Sequence, residues 1–369
     1  METKYICSEC SKTHNISASL WRCDCGGLLD LLFEPKLTKN FISDKHQGLW
    51  RYKAAFPLEG DNNIISFDEG FTPLSEIIID DRKILIKQDH LFPTASYKDR
   101  GASILISKAK ELGVKEAVED SSGNAGCSIA AYCAKADIKC NILVPSSTSK
   151  SKLFQIEAYG AKLDLVPGSR DDTAEAAYKH AEVKFYASHV WNPFFFHGTK
   201  TFAYEVAEQL DFKTPDSIVL PMGNGTIFIG AYIGFSELLN AGLISKMPRF
   251  IAVQSANCAP VYSKFKSLLP VSIKETLAEG IAIGKPARIK QLLKIVEDTH
   301  GDIITVSEGE LIDSHKLINK MGYFIEPTSA AVTAGLRKFI KSVPSKEIIV
   351  STFTGHGLKA AGKATYLTE

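Results

Sequence analysis

The sequence predicts an α/β protein with two parallel-sheet domains, helices on both faces of each sheet, and a small cysteine-rich module in front. Three observations carry the prediction. Short apolar, β-branched runs alternate with Ala-rich stretches of helical period along most of the chain, as expected for strands buried between layers of helices. The 369 residues suffice for two cores at roughly 150 residues per domain. Four of the eight cysteines fall between Cys7 and Cys25, ahead of a composition change at Phe33-Glu34-Pro35.

The elements follow from pattern. Residues 1–33 form the cysteine module and residues 34–112 the first part of a large domain, with Ile84-Leu85-Ile86 as a strand and a helix over 102–112. Residues 113–190 form a small domain, with strands at 117–118, 139–144 and 162–166 and helices at 125–135, 150–159 and 172–182. Residues 191–369 complete the large domain, with strands at 217–221, 250–254 and 348–353 and helices at 227–239, 308–321 and 330–343. The longest poorly patterned region is 260–288. In such sheets ligands sit at the carboxyl ends of strands, so chemistry belongs in the loops that follow them.

Composition narrows the function. A balance of 43 Lys plus Arg against 42 Asp plus Glu leaves a net charge of +1, which removes the simplest case for a nucleic-acid binder. No run of about 18 apolar residues occurs, and Met1-Glu2-Thr3-Lys4-Tyr5 does not begin like a secretory signal. Cys127, Cys133, Cys140 and Cys258 are scattered through apolar sequence, which fits a reducing cytoplasm better than a disulfide framework. The expectation is a soluble, unprocessed, cytoplasmic chain.

Cys7-x-x-Cys10 and Cys23-x-Cys25-Gly26-Gly27 supply thiolates in two close pairs. Such a set closes a tetrahedron round Zn²⁺, and the glycines allow the tight turn that aims the sulfurs inward. The CxC spacing is a weaker signal than CxxC, and four ordinary thiols are the plainer alternative. Zinc here would staple a segment too short to hold a core.

Pro93-Thr94-Ala95-Ser96-Tyr97-Lys98-Asp99-Arg100-Gly101 runs from a strand into a helix. A lysine at such a turn, held in a desolvated pocket, can become a neutral amine able to form a Schiff base. A solvated lysine beside Asp99 and Arg100 is the plainer reading. Glu119-Asp120-Ser121-Ser122-Gly123-Asn124-Ala125-Gly126 joins a strand to an Ala-rich helix; its hydroxyls and helix-start amides can seat a carboxylate, or can simply cap the helix. Pro221-Met222-Gly223-Asn224-Gly225-Thr226 also precedes a helix. Its glycines let backbone amides approach a phosphate, and the absence of GxGxxG or GxxxxGK[ST] favours a phosphate monoester over a dinucleotide or triphosphate. Thr354, in Ser351-Thr352-Phe353-Thr354-Gly355-His356-Gly357-Leu358-Lys359, places a hydroxyl at the end of the last strand. No GxSxG elbow accompanies His356, so a hydrolase triad is discounted.

Lysine, asparagine loop, glycine loop and terminal hydroxyl occur in this order in the pyridoxal-phosphate enzymes of the tryptophan-synthase-β fold type. The chain most resembles the threonine synthase family. Asp68-Glu69-Gly70-Phe71-Thr72-Pro73-Leu74, Ser96-Tyr97-Lys98-Asp99-Arg100-Gly101, Ser121-Ser122-Gly123-Asn124-Ala125-Gly126, Gly223-Asn224-Gly225-Thr226, Glu326-Pro327-Thr328-Ser329-Ala330 and Thr354-Gly355-His356-Gly357-Leu358-Lys359 look like its motifs. The N-terminal cysteines resemble the zinc-ribbon-like segment of many members, and the resemblance covers essentially the whole chain. It implies the tryptophan-synthase-β-like architecture (PLP fold type II) behind a zinc-ribbon-like module. It also implies pyridoxal 5'-phosphate as cofactor, structural Zn at Cys7, Cys10, Cys23 and Cys25, a small amino-acid substrate, a homodimer, and no nucleic-acid or membrane partner.

By the same resemblance Lys98 would carry the Schiff base and act as catalytic base, and Asn124 would bond the cofactor's 3′ oxygen. Gly223, Asn224, Gly225 and Thr226 would cradle its phosphate. Thr354 would face the pyridine nitrogen, where a hydroxyl restrains ring charge and favours elimination over transamination. Ser121, Ser122, Gly123 and Asn124 would hold the substrate carboxylate. Family members convert O-phosphohomoserine and water to threonine and phosphate, which requires a second anion site.

The chain departs from its relatives there. They usually carry an arginine between Asn-Pro and Gly-x-Lys-Thr, whereas this chain reads Asn192-Pro193-Phe194-Phe195-Phe196-His197-Gly198-Thr199-Lys200-Thr201. Losing a guanidinium from a buried phosphate site costs about 2 to 5 kcal/mol. Asn192 and Lys200, with His197 and Lys152, are the candidates to replace it. Otherwise the substrate lacks a phosphate, and the enzyme is a serine or threonine dehydratase or a β-replacement enzyme. Gln88-Asp89, where a glutamate is usual, is a smaller departure. A non-catalytic zinc-ribbon interaction protein on the same fold is a further alternative, opposed by the intact Lys98, Asn124 and Gly223–Thr226 loop.

Overall fold

The computed structural model describes residues 3–269 and 272–367. Its elements begin with β1 (Lys4–Cys7), β2 (Thr13–Asn15), β3 (Leu29–Leu32), β4 (Leu74–Ile79), β5 (Arg82–Lys87), α1 (Lys98–Glu111), β6 (Glu116–Glu119), α2 (Asn124–Ala136), β7 (Lys139–Pro145), α3 (Lys150–Ala158), β8 (Lys162–Val166), α4 (Arg170–Ala181) and β9 (Phe185–Tyr186). They continue with α5 (Phe194–Thr199), α6 (Thr201–Gln209), β10 (Ser217–Pro221), α7 (Thr226–Asn240), β11 (Arg249–Ser255), α8 (Pro260–Phe265), α9 (Ile289–Asp298), β12 (Asp302–Val306), α10 (Glu308–Lys320), α11 (Pro327–Phe339) and β13 (Ile349–Thr352). Packing divides the chain into two compact units, residues 1–70 with 98–201 and residues 71–97 with 202–369. Among the described residues no helix is long and apolar enough to cross a membrane.

In the first unit β8, β7, β6 and β9 form a four-stranded parallel sheet. Successive side chains serve opposite faces. Ala117, Ile142 and Val144 join a core with α1 and α2, while Val118 and Leu143 join a second with Ala177 and Ala181 of α4. Helices α1 and α5 meet at two glycines. A Cβ on Gly101 would lie 2.4 Å from the Phe195 ring, and one on Gly198 would lie 2.1 Å from the Arg100 carbonyl oxygen, so only a bare backbone permits the crossing.

The cysteine module is a three-stranded antiparallel sheet in the order β2-β1-β3. It is anchored on the rest of its unit by aromatic rings. Trp21 stacks on Tyr178 with centroids 5.0 Å apart and meets Tyr186 and Trp191 edge-on, while Tyr5 meets Phe194. Such contacts replace the core that so short a segment lacks.

The second unit holds a six-stranded sheet in the order β12-β11-β10-β13-β5-β4. All pairs are parallel except β4 with β5. That antiparallel edge, absent from the sequence expectation, is closed by Asp80 and Asp81 at φ 45° and 61°, the left-handed pair that a two-residue hairpin needs. Val219, Ile251 and Val253 pack in one core with α11, and Phe250 meets Phe228 and Phe235 of α7 from the other face. The sequence pattern also missed α5, α6, α9 and β12. All six residues of α5 are buried, so it shows no apolar stripe to read.

Candidate active site

α1 begins at Lys98 rather than at residue 102. Its first turn is clamped by charged side chains with 0% exposure, Asp99 and Arg100. Ser128 Oγ donates to Asp99 Oδ1, and Arg100 donates to Thr201 Oγ1 at 2.9 Å. These neighbours are therefore not the solvated charges that the plainer reading requires. Lys98 itself is half-buried, with Nζ 5.7 Å from the Phe195 ring centroid.

β6 of the same unit ends in a buried carboxyl, Glu119. Its Oε1 lies 2.6 Å from His189 Nδ1, and its Oε2 is buried with no hydrogen-bond partner. Burial lifts Glu119 to about 8, against the pull of the Asp120 amide and the Lys98 charge. Burial, then the Lys98 charge, pushes His189 well below the usual imidazole range. Asp120 accepts from Tyr186 Oη at 2.8 Å and is raised to about 6 by burial and by Glu119. The turn that follows is tight: Gly123 N donates to Ser121 Oγ at 3.3 Å, and a Cβ on Gly126 would fall 1.8 Å from the Ser121 carbonyl oxygen. Ser121 is buried, Ser122 and Asn124 are half-buried and Gly123 is exposed. Asn124 opens α2, which no side chain caps, and amides at a helix start suit an anion.

In the second unit β10 delivers Gly223, Asn224 and Gly225 to the start of α7. Gly225 is left-handed at φ 73°, ψ 22°, and no side chain caps the helix. A Cβ on Gly223 would lie 2.9 Å from Ile281 Cα, and one on Gly225 would lie 2.2 Å from Leu292 Cδ2. The loop is thus a bare cradle whose amides open a 15-residue helix, a donor set suited to a phosphate. Tyr97 joins it to the end of β13. Its hydroxyl lies 2.8 Å from Thr226 Oγ1, and its N–H donates to the Thr354 carbonyl at 3.0 Å.

Thr354 is fully buried. Its Oγ1 donates to Glu326 Oε1 at 2.7 Å and lies 3.0 Å from Ser329 Oγ, which accepts from Thr354 N at 2.8 Å. Gly355 leaves room for the carboxylate, since a Cβ there would come within 2.4 Å of Glu326 Oε2.

The segment with the missing arginine belongs to the interior. Phe194, Phe195 and Phe196 are all buried. Asn192 Nδ2 donates to the Tyr186 carbonyl at 3.3 Å, and its Oδ1 accepts from Phe194 N at 3.2 Å. Lys200, with 0% exposure, holds Nζ 3.1 Å from His197 Nδ1. Burial, then Lys200, pushes His197 well below the usual imidazole range. The Lys152 side chain lies outside the described residues.

The Sγ atoms of Cys7, Cys10, Cys23 and Cys25 all lie within 4.8 Å of one another. The pairs Cys7–Cys25, Cys10–Cys23 and Cys10–Cys25 are 3.5, 3.6 and 3.5 Å apart, close to the roughly 3.8 Å edge of a tetrahedron with Zn–S of about 2.3 Å. The four cysteines could hold a metal ion. Gly27 is required for the approach, because a Cβ there would sit 2.6 Å from Cys7 Sγ.

A family profile described as pyridoxal-phosphate dependent enzyme matches residues 65–355. The threonine synthase of Methanocaldococcus jannaschii is 33% identical, over 98% of this chain and 94% of its own length. The chain belongs to the threonine synthase family of pyridoxal-phosphate dependent enzymes. The threonine synthases of Synechocystis sp. (33% identical, 84% of this chain, 82% of theirs) and Mycobacterium tuberculosis (34%, 84% and 87%) agree. Among solved structures, a pyridoxal 5'-phosphate-dependent aspartate racemase matches with a TM-score of 0.68 at 22% identity, covering 80% of this chain and 93% of its own. A fungal L-serine ammonia-lyase from Rhizomucor miehei matches at 0.69 and 18%, covering 80% and 97%. These two show the fold: a tryptophan-synthase-β-like architecture with parallel sheets and helices.

The family's cofactor fits these residues. The glycine cradle and uncapped α7 offer a phosphate its donors, and the half-buried Lys98 offers an amine. Sequence reading assigns no role to Tyr97, Glu119, His189, Glu326 or Ser329. Tyr97 adjoins Lys98, Glu119 and Asp120 are two acids closing an apolar strand, and Glu326 and Ser329 share one motif. His189 carried no signal, because its partner lies 70 residues away.

Proposed function

We propose that this chain converts O-phosphohomoserine and water into threonine and phosphate. The likeness to threonine synthases across the whole chain carries this reading. Bound pyridoxal phosphate would supply the electron sink that makes the α-hydrogen of an amino acid acidic. Lys98 holds the aldehyde end and moves protons at the substrate's Cα and Cβ, with its turn fixed by buried Asp99 and Arg100. Asn124 orients the 3′ oxygen, Gly223, Asn224, Gly225 and Thr226 hold the phosphate, and Thr354 faces the ring nitrogen. The turn at Ser121, Ser122, Gly123 and Asn124 seats the substrate carboxylate. Lys200 and Asn192 serve the leaving phosphate, with His197. In this reading the chain is a cytoplasmic homodimer with no nucleic-acid or membrane partner, its four N-terminal cysteines holding structural zinc.

Loaded protein should release inorganic phosphate from O-phosphohomoserine in step with threonine, and Lys98→Ala should abolish both. Absence of phosphate release would overturn the reading. One observation favours a second: the apolar burial of Phe194, Phe195 and Phe196 suits a substrate without phosphate, such as serine or threonine in a dehydratase, or an O-activated serine in a β-replacement. Keto-acid formation from serine or threonine, with no phosphate release from O-phosphohomoserine, would select the dehydratase.

A further inference from the structure

We propose that Glu326 is a positioning residue for the cofactor's ring nitrogen: it takes the one hydroxyl proton of Thr354, so Thr354 offers that nitrogen only an oxygen lone pair. The nitrogen must then keep its own proton to make the bond. The inference rests on Thr354 facing the ring nitrogen, as in the reading above, and goes beyond it by fixing which partner donates. It does not depend on which amino acid is the substrate.

A count of protons carries the argument. A threonine hydroxyl has one hydrogen to give and two lone pairs to receive with. Thr354 Oγ1 gives its hydrogen to Glu326 Oε1 at 2.7 Å, since a carboxylate oxygen only accepts. Ser329 Oγ lies 3.0 Å from Thr354 Oγ1. With the Thr354 hydrogen committed, Ser329 is the donor of that pair and fills one lone pair. One lone pair remains, so a third group can approach Thr354 Oγ1 only as a donor.

The hydroxyl is held in this orientation. Thr354 N donates to Ser329 Oγ at 2.8 Å, and the Thr354 carbonyl accepts from Tyr97 N at 3.0 Å. Glu326 is placed by main chain rather than by Thr354: its N–H donates to the Gly355 carbonyl at 2.9 Å, and Ile325 forms an antiparallel bridge with His356. Glu326, Ser329 and Thr354 are all buried, so these bonds form in a low dielectric, where they are strong. Tyr97 also reaches the glycine cradle through Thr226. The cradle and Thr354 are thus one tyrosine apart, a span that suits a ring with a phosphate at one end and a nitrogen at the other.

The consequence is chemical. A threonine with a free hydroxyl hydrogen would donate it to the ring nitrogen and leave that nitrogen neutral. With a carboxylate behind the hydroxyl, the bonds run from N–H to Thr354 Oγ1 and from Thr354 Oγ1 to Glu326 Oε1, and the negative charge at the end favours a cationic nitrogen. No covalent bond changes, because the nitrogen keeps the proton it carries from solution. Thr354 relays an acid, and a charged ring draws electrons more strongly than a neutral one.

The test reads the nitrogen, not turnover. Full-length protein loaded with pyridoxal phosphate, isotopically labelled at its ring nitrogen, should show a protonated nitrogen by NMR at neutral pH. Glu326→Gln keeps the size and loses the charge; it should lower the pH midpoint for loss of that proton by about one unit, roughly tenfold in proton affinity. Ser329→Ala disturbs the same threonine without removing a charge and should leave the midpoint in place. A neutral nitrogen in the wild type overturns the proposal, and needs no variant to fold. An unchanged midpoint in folded Glu326→Gln, or an equal fall in Ser329→Ala, also overturns it. A nitrogen signal indifferent to Thr354→Val would move Thr354 away from the ring and overturn the proposal together with the reading beneath it, a failure distinct from the others.

Discussion

Two strand ends in this molecule carry buried carboxyls, and they are built in opposite ways. Past the end of β13, Glu326 receives the Thr354 hydroxyl, Ser329 receives the Thr354 amide, and Gly355 makes room for the carboxylate. At the end of β6, Glu119 has one oxygen on His189 and one on nothing. A satisfied network rigidifies what it touches; an unsatisfied group is held in place by the rest of the fold and is available for chemistry. The difference teaches that burial alone does not mark a functional acid.

The largest effect expected is from Lys98→Ala, which should lower turnover by about a thousandfold or more, equal to at least about 4 kcal/mol of barrier, with the melting temperature nearly unchanged. Next, Thr354→Val should strip Glu326 and Ser329 of a partner and destabilise the chain by about 1–3 kcal/mol in urea titration, whereas Thr354→Ser should restore most of it. If Thr354→Val were neutral, the network would not be rigid.

Gly101→Ala and Gly355→Ala sharpen the contrast further. Each puts a methyl 2.4 Å from a neighbour, the Phe195 ring in one case and the Glu326 carboxylate in the other. Each should cost about 1–3 kcal/mol. Gly101→Ala should also displace Phe195, against which Lys98 lies, and weaken cofactor uptake, an outcome read from visible absorbance.

The smallest effect is a slope. Glu119 binds its proton with an apparent value near 8 when folded, against about 4.3 for an unfolded glutamate. The folded chain thus holds the extra proton in that window, so stability falls as pH rises through it, by at most about 1.4 kcal/mol per unit for one proton. Asp120, raised to about 6, acts in the same sense over a narrower range. His189, pushed down, acts oppositely, and its contribution is complete above about pH 6.5. Glu119→Gln should therefore flatten the fall between about pH 6.5 and 8, measured by urea denaturation at several pH values. An unaltered slope would place the titrating proton elsewhere.

Much was legible without coordinates. The alternation of apolar runs and Ala-rich stretches located β6 to β8, α2, α3 and α7 to within a residue or two, because local period and burial agree there. The four N-terminal cysteines, Lys98, the Asn124 turn, the glycine loop and Thr354 were all marked by residue type and by position after a strand. The start of α1 was misjudged by four residues, because Asp99 and Arg100 look like surface charges until Ser128 and Thr201 are brought to them. The triple phenylalanine read only as an absence of charge; the structure shows Phe195 packed on Gly101, a contact made by residues far apart in the chain.

By itself, then, the sequence determined the alternating architecture, the sulfur cluster and the family, since each is written in local spacing and residue type. Tertiary structure alone decided that His189 meets Glu119, that Tyr97 ties Thr226 to Thr354, and that the phenylalanines at 194–196 belong to the core. Those facts depend on which distant side chains share an interior, and burial is a property of the folded whole that no short window of residues contains.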